Sequence, residues 1–96
     1  MDSVFRALAD PTRRKILGLL RAGPMSAGAI TDQFPQNRST VSAHLSVLKG
    51  ADLVSTERQG QTILYSLNLS VFEETMAGLL AVFGMGKDAR KEGDPS

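Results

Sequence analysis

The chain has 96 residues, of which 42% are hydrophobic and 22% charged, and its formal net charge at pH 7 is +1. These values are typical of one small globular domain and argue against a two-domain enzyme, a fibrous protein or a disordered chain. The lack of cysteine excludes disulfides, thiolate nucleophiles and thiolate metal sites.

Two helices are predicted at the start of the chain. The first is short, has Asp2 or Ser3 as its cap and runs through Ala9. Its apolar side consists of Val4, Phe5 and Leu8. The pair Asp10-Pro11 is typical of a helix start, because it places an acceptor at the N-cap and a proline at the first helical position. Gly23-Pro24 marks a stop, so we predict a second helix over residues 11–22.

A helix-turn-helix is predicted next. Ser26 is expected to cap a third helix that ends near Phe34, and Asn37 to cap a fourth that runs to about Lys49 before Gly50 ends it. Two helices joined by a turn of about three or four residues form this motif, and its second helix is the one that can enter a major groove.

The fourth helix has two different faces. Its inner stripe consists of Val41, Leu45 and Leu48. Its outer face carries small side chains that contain no acid: Ser39, Thr40, Ser42, Ala43 and Ser46. A helix that contacts only water usually carries long charged residues, whereas small hydroxyls allow close approach to phosphates and base edges. The alternative is that these serines are merely tolerated at the surface.

A β-hairpin is predicted after the helix-turn-helix. Residues 53–56 and 62–67 are typical of strands, and residues 57–61 supply a turn that contains glycine. A hairpin in this position is the wing of a winged helix. We expect Arg58 at its tip, with Gln59 beside it, to contact DNA through the backbone or the minor groove.

The last helix is predicted to begin with a capping box formed by Ser70 and Glu73. Its apolar side consists of Phe72, Met76, Leu79, Leu80 and Phe83. Together with Val4, Phe5 and Leu8, this stripe exceeds what one small core needs, so we expect a homodimer built from the terminal helices. Residues 85–96 have no apolar period and are predicted to be a flexible tail behind a single domain of residues 1–84.

The predicted fold class is therefore mainly α with a small β-hairpin, a winged helix-turn-helix in the order α-α-α-α-β-β-α.

The charged residues are distributed unevenly along the chain. Residues 1–60 carry eight lysines or arginines against five aspartates or glutamates, whereas residues 61–86 carry two acids and no base. A mildly basic front could attract a polyanion, although the same charges would also serve as an ordinary solvated surface.

No membrane segment or signal peptide is expected. Charged residues at positions 2, 6 and 10 interrupt any apolar core of a signal peptide. The longest uncharged run, Gln59 to Phe72, is shorter than the roughly 18 apolar residues that span a bilayer. We therefore expect a cytoplasmic protein.

The segments FRALADPTRRKILGLL, STVSAHLSVLK, ADLV and ERQGQTILYSL together resemble the ArsR-type winged-helix repressors of bacteria, and especially the cysteine-free, SdpR-like branch. The resemblance covers roughly residues 4–83. It implies a homodimer that represses a promoter, often its own, by binding an inverted repeat. On the matching positions it implies that Arg38, Ser39, Ser42 and Ala43 read bases. Thr40 and Ser46 would then lie near the DNA backbone.

The chain also departs from this pattern. Many relatives carry two adjacent histidines where this chain has Ala43-His44, which alters one polar contact. Metal-sensing members carry a cysteine pair where residues 29–32 read AITD, and others bind zinc through histidines that this last helix lacks. We therefore expect no metal and no cofactor. A structural or DNA-adjacent role is predicted for His44.

No constellation of catalytic residues is present, because the chain has one histidine, no cysteine and no phosphate-binding glycine loop. Two alternatives to a metal-independent repressor remain at this stage. One is a winged-helix module that binds proteins, which salt dependence would distinguish from DNA binding. The other is a repressor that responds to a metal or small ligand at a non-standard site.

Overall fold

The computed structural model describes residues 2–84. Its elements, in chain order, are α1 (Asp2–Leu8), α2 (Pro11–Leu20), β1 (Met25–Ser26), α3 (Ala27–Thr31), α4 (Arg38–Gly50), β2 (Val54–Gln59), β3 (Thr62–Leu67) and α5 (Leu69–Val82). The predicted fold class, mainly helical with a small hairpin, is confirmed. The tail predicted for residues 85–96 lies outside the described residues.

The hairpin is tighter than predicted. Strands β2 and β3 are antiparallel and remain paired as far as Gln59 and Thr62, which leaves only Gly60 and Gln61 in the turn. Gly60 has a φ of 63°, a value that glycine adopts without steric cost and that a two-residue hairpin turn requires. The five-residue turn predicted over residues 57–61 is therefore wrong.

A third strand, β1, was not predicted. Met25 pairs with Tyr65 and Ser26 with Leu64, so that β3 lies between β1 and β2 in an antiparallel sheet. Two residues are too few to show an alternating pattern, and β1 forms only because the chain after α2 passes along the free edge of β3. This pairing attaches the wing to the start of the helix-turn-helix.

The start of α2 follows the predicted pattern. Asp10 Oδ1 accepts hydrogen bonds from the backbone N–H groups of Thr12 at 2.7 Å and Arg13 at 3.1 Å. Desolvation raises the pKa of Asp10, but these two N–H groups and the nearby charge of Arg13 outweigh it and hold that pKa below its ordinary value. The charged cap thus stabilises the fold above the unfolded pKa of about 3.9 and loses this contribution as the pH falls through the folded pKa.

Two other helix ends differ from the prediction. Helix α5 begins at Leu69, and Asn68 is its N-cap, so the capping box predicted at Ser70 is wrong. The chain turns earlier because the N–H of Asn68 donates to the carbonyl of Leu53 at 2.9 Å and anchors the end of β3. Gly50 remains inside α4, and Asp52 adopts the left-handed conformation after it, with a φ of 61°.

One apolar core lies between the helices and the sheet. Its buried side chains are Val4, Ala7, Ile16, Leu17, Leu20, Ile30, Val41, Leu45, Leu48, Ala51, Leu53 and Val54. The stripes predicted for α2 and α4 are therefore both in the core. Val4 belongs to it as well, although it was predicted for a dimer interface, because α1 packs against both α2 and α4.

The side chain of Arg13 joins three helices. Its Nε and Nη2 donate to the carbonyls of Ala7 and Arg6, each at 2.8 Å, and its Nη1 donates to Nδ1 of His44 at 3.2 Å. The two carbonyls belong to the last turn of α1, and the carbonyl of Arg6 also accepts from the N–H of Ala9 at 3.2 Å. Arg14 satisfies the carbonyl of Leu8 in the same way at 2.7 Å. The two arginines of α2 thus cap α1, and Arg13 also binds α4.

We predict that Arg13→Lys destabilises the protein by about 1–3 kcal/mol, because lysine cannot reproduce the three divergent hydrogen bonds of the guanidinium. Urea unfolding followed by circular dichroism would measure the change. The matched control is Arg14→Lys, which should have a smaller effect because Arg14 makes a single such bond and one ammonium can replace it. Equal stabilities of the two variants would contradict the prediction.

Candidate nucleic-acid interface

Helix α4 presents a polar face on a rigid support. Its N-cap, Asn37, accepts a hydrogen bond from the N–H of Thr40 at 2.9 Å. The side chains of Val41, Leu45 and Leu48 are at most 1% exposed. The outward residues are all exposed: Arg38, Ser39, Thr40, Ser42, Ala43 and Ser46. Three core anchors on one side therefore orient all six candidate residues on the other.

This face carries no negative side chain. From Arg38 to Gly50 the helix contains no aspartate or glutamate, and a basic residue lies near each end, Arg38 and Lys49. Small hydroxyl groups between them can donate to phosphate or base oxygens without a long side chain keeping the helix at a distance. The helix can therefore approach a polyanion closely.

Arg38 lies at the junction of the two helices of the motif. Its Nη2 is 3.2 Å from the position that a Cβ on Gly28 would occupy, so the guanidinium packs against the first turn of α3. Glycine makes this approach feasible because it has no side chain at that point. The sequence pattern contained no signal for this contact, because it depends on the crossing of α3 and α4.

His44 has a structural role. It is half-buried, and its Nδ1 accepts the hydrogen bond from Arg13, which requires the proton of the neutral ring to be on Nε2. Its neighbour Ala43 is exposed and faces outward with the serines. The departure from the two adjacent histidines of many relatives thus falls at a surface position, while the histidine that remains holds α4 to α2.

The wing exposes both of its candidate DNA-contacting residues. Arg58 and Gln59 are both exposed, and β2 packs against α4. Arg58 pairs with Ile63 in the ladder, and its Nε donates to the carbonyl of Gly60 at 3.2 Å. Arg58 therefore lies in the strand before the turn and curls toward it, whereas the prediction placed it at the tip.

The terminal helices expose large apolar side chains. Phe5 is 39% exposed, Leu80 44% and Phe83 71%. Leu8, Phe72, Met76 and Leu79 are half-buried. Val82, which is 75% exposed, extends this surface beyond the predicted stripe. Of the eight predicted interface residues, Val4 alone lies in the core.

The positions at which the metal-sensing proteins that this chain resembles carry a cysteine pair hold no thiolate here. In place of the cysteine pair of metal-sensing members, α3 contains Ile30, which is fully buried in the apolar core. Within residues 2–84, no group of three or more histidine, aspartate or glutamate side chains is placed to hold an ion. In the same part of the chain, no helix has both the length and the apolar character required to cross a membrane.

Comparisons with known proteins agree with this geometry. A helix-turn-helix domain family matches residues 8–57, which include α2, α3, α4 and most of β2. The transcriptional repressor SdpR of Bacillus subtilis is 44% identical over 86 residues, an alignment that covers 90% of this chain and 96% of SdpR. This match extends through the wing into the region of the terminal helix.

Solved structures are similar over the whole fold. The structure of a possible transcriptional regulator for arsenical resistance has a TM-score of 0.77 and 30% identity, and the match covers 100% of this chain and 98% of that one. The homodimeric winged helix-turn-helix DNA-binding domain of a possible ArsR-family regulator from Mycobacterium bovis has a TM-score of 0.71 and 30% identity, over 86% of this chain and 78% of that one. The sequence match and the shared architecture together show that the chain belongs to the ArsR family of DNA-binding winged helix-turn-helix transcriptional repressors.

Proposed function

We propose that the protein is a homodimeric repressor that binds an inverted-repeat operator, its own promoter among the candidates, without a metal effector. The observation that carries this proposal is the acid-free, exposed face of α4, which three buried side chains of the same helix hold rigidly. Neither an enzyme nor an apolar protein-docking module requires such a face. A major groove does, because its base edges and phosphates offer acceptors at short range.

Each part of the interface has a separate role in this proposal. Arg38, Ser39, Ser42 and Ala43 read base edges, and Thr40 and Ser46 contact the backbone. Arg58 and Gln59 add electrostatic contacts from the wing. Two recognition helices related by a dimer axis enter successive major grooves about 34–36 Å apart, so the half-sites are roughly one helical turn apart.

The terminal helices are the proposed dimer interface. Phe5, Leu80 and Phe83 are large apolar side chains that a lone protomer leaves in water, and burying them against a second copy is favourable. Leu8, Phe72, Met76 and Leu79 border this surface. The Mycobacterium bovis domain is homodimeric, which supports a dimer of this chain as well. Val4 contributes indirectly, because it packs α1 onto the core.

We predict that substitutions in the helix and in the wing differ in kind. Ser42→Ala should cost about 1 kcal/mol of operator binding and relax the preference at one base position, because it removes one hydrogen bond. Arg58→Ala should weaken binding to every sequence and reduce the slope of log affinity against log salt by about one ion per wing. Fluorescence anisotropy on an operator and on a scrambled duplex, over a salt series, would measure both.

The matched control for charge is Lys15→Ala, which removes one exposed cation from α2, outside the helix and wing of the proposed interface. It should leave the salt slope unchanged. If Arg58→Ala behaves like this control on both duplexes, the wing does not touch DNA. If the wild type shows no salt dependence at all, the protein is an interaction module and the proposal fails.

A negative charge at Phe83 is predicted to separate the dimer. Phe83 is largely exposed in the protomer, so Phe83→Glu should leave its fold intact while placing an unpaired carboxylate in the apolar interface. Analytical ultracentrifugation should then show a monomer at micromolar concentration, with weak operator binding. Ala22→Glu, at an exposed site outside the terminal helices, is the control and should remain dimeric. A monomeric wild type would refute the interface.

Metal ions are predicted not to release the operator. The chain contains no cysteine, and residues 2–84 contain no cluster of three or more other ligating side chains. A gel-shift assay with stoichiometric zinc, cadmium or arsenite should therefore show unchanged binding. Release by one of these ions that a chelator or dithiol reverses would contradict metal independence but leave DNA binding itself in place.

A further inference from the structure

A cleft opens between α1, α2 and α5, away from the recognition helix. It has a volume of about 360 Å³, within the range of roughly 300–1,000 Å³ typical of small-molecule sites. Its walls are almost wholly apolar and consist of Leu8, Leu17, Phe72, Met76 and Leu79. A cavity with such walls favours an apolar ligand body, because burying it removes apolar surface from water on both sides.

Two guanidinium groups border this cleft, those of Arg14 and Arg21. Nη1 of Arg14 donates to the carbonyl of Leu8 at 2.7 Å, which fixes the side chain at the rim and leaves other N–H groups of its fork available. Arg21 is exposed. None of the residues lining the cleft is an aspartate or glutamate. The rim is therefore cationic, and the walls are apolar.

Gly18 forms part of the wall where α2 borders the cleft. A Cβ added to Gly18 would meet no atom within 4 Å, so the space beside it is open. Glycine inside a helix is unfavourable relative to alanine. Among residues 2–84, no neighbour requires glycine at this position, and the lack of a side chain widens the cleft.

We propose that this cleft binds a small amphipathic carboxylate, such as a medium-chain fatty acid, with its chain against the apolar walls and its carboxylate at Arg14 and Arg21. An apolar side chain from a second copy could fill the walls, but it would make no use of the cationic rim formed by the two exposed guanidinium groups. An amphipathic carboxylate matches both the apolar walls and the cationic rim. Because Leu8, Phe72, Met76 and Leu79 also border the proposed dimer surface, the ligand would be linked to dimerisation and through it to the operator.

The test is a titration of the full-length protein with octanoate, followed by the methyl NMR signals of Met76, Leu17 and Leu79. We expect saturable shifts confined to methyl groups of the cleft. The neutral probe 1-octanol, which has the same chain length, should bind at least about tenfold more weakly, as expected when a charge-assisted hydrogen bond is lost. The same loss is expected for octanoate with Arg21→Gln, and Arg21→Lys should restore part of it.

Gly18→Leu should abolish the octanoate shifts, because the new side chain occupies the open space while a leucine is favourable in a helix. Its control is Gly50→Leu, at another helical glycine with nothing within 4 Å, which should bind octanoate as the wild type does.

Equal affinity for octanoate and 1-octanol, or unaltered octanoate binding by Gly18→Leu, would overturn the proposal. So would a lack of saturable shifts in a dimeric wild type, since a second copy then fills the cleft. None of these results bears on operator binding, which anisotropy measures separately.

Discussion

The arrangement of the helices depends on the guanidinium of Arg13. Its three hydrogen bonds join the end of α1, the start of α2 and the middle of α4 through His44. An arginine can do this because its donors diverge from one planar group, whereas any two of these helices could be joined by a simpler contact. The orientation of the recognition helix is thus tied to the terminal helix that borders the proposed dimer surface.

Helix α4 buries one side and exposes the other. Three of its side chains are almost completely buried, and its exposed candidate residues carry no negative charge. Burial on one side costs the helix its rotational freedom, and this loss is what gives the outer face a fixed direction. Binding DNA then requires little further ordering of the protein, so more of the contact energy remains for affinity and sequence preference.

The helix starts that depend on a local N-cap were largely predictable from the sequence. Asp10, Ser26 and Asn37 each accept a hydrogen bond from the first turn of the helix they begin, as the side-chain chemistry of an N-cap requires. The end of β3 was different. There Ser70 had the better local pattern, but the hydrogen bond from Asn68 to Leu53, which are far apart in the chain, began α5 earlier. At this position the tertiary hydrogen bond outweighed the local preference for a capping box at Ser70.

What the sequence determined by itself was the order and type of the main elements and the composition of the face on α4, because both follow from periodicity and caps within a few residues. Tertiary structure alone decided the rest: the pairing of β1 with β3, the burial of Val4, the packing of Arg38 on Gly28 and the cleft beside Gly18. Each of these depends on how elements distant in the chain pack together. A pattern of neighbouring residues carries no information about the angle at which two helices cross, and that angle sets which surfaces are covered and which stay open.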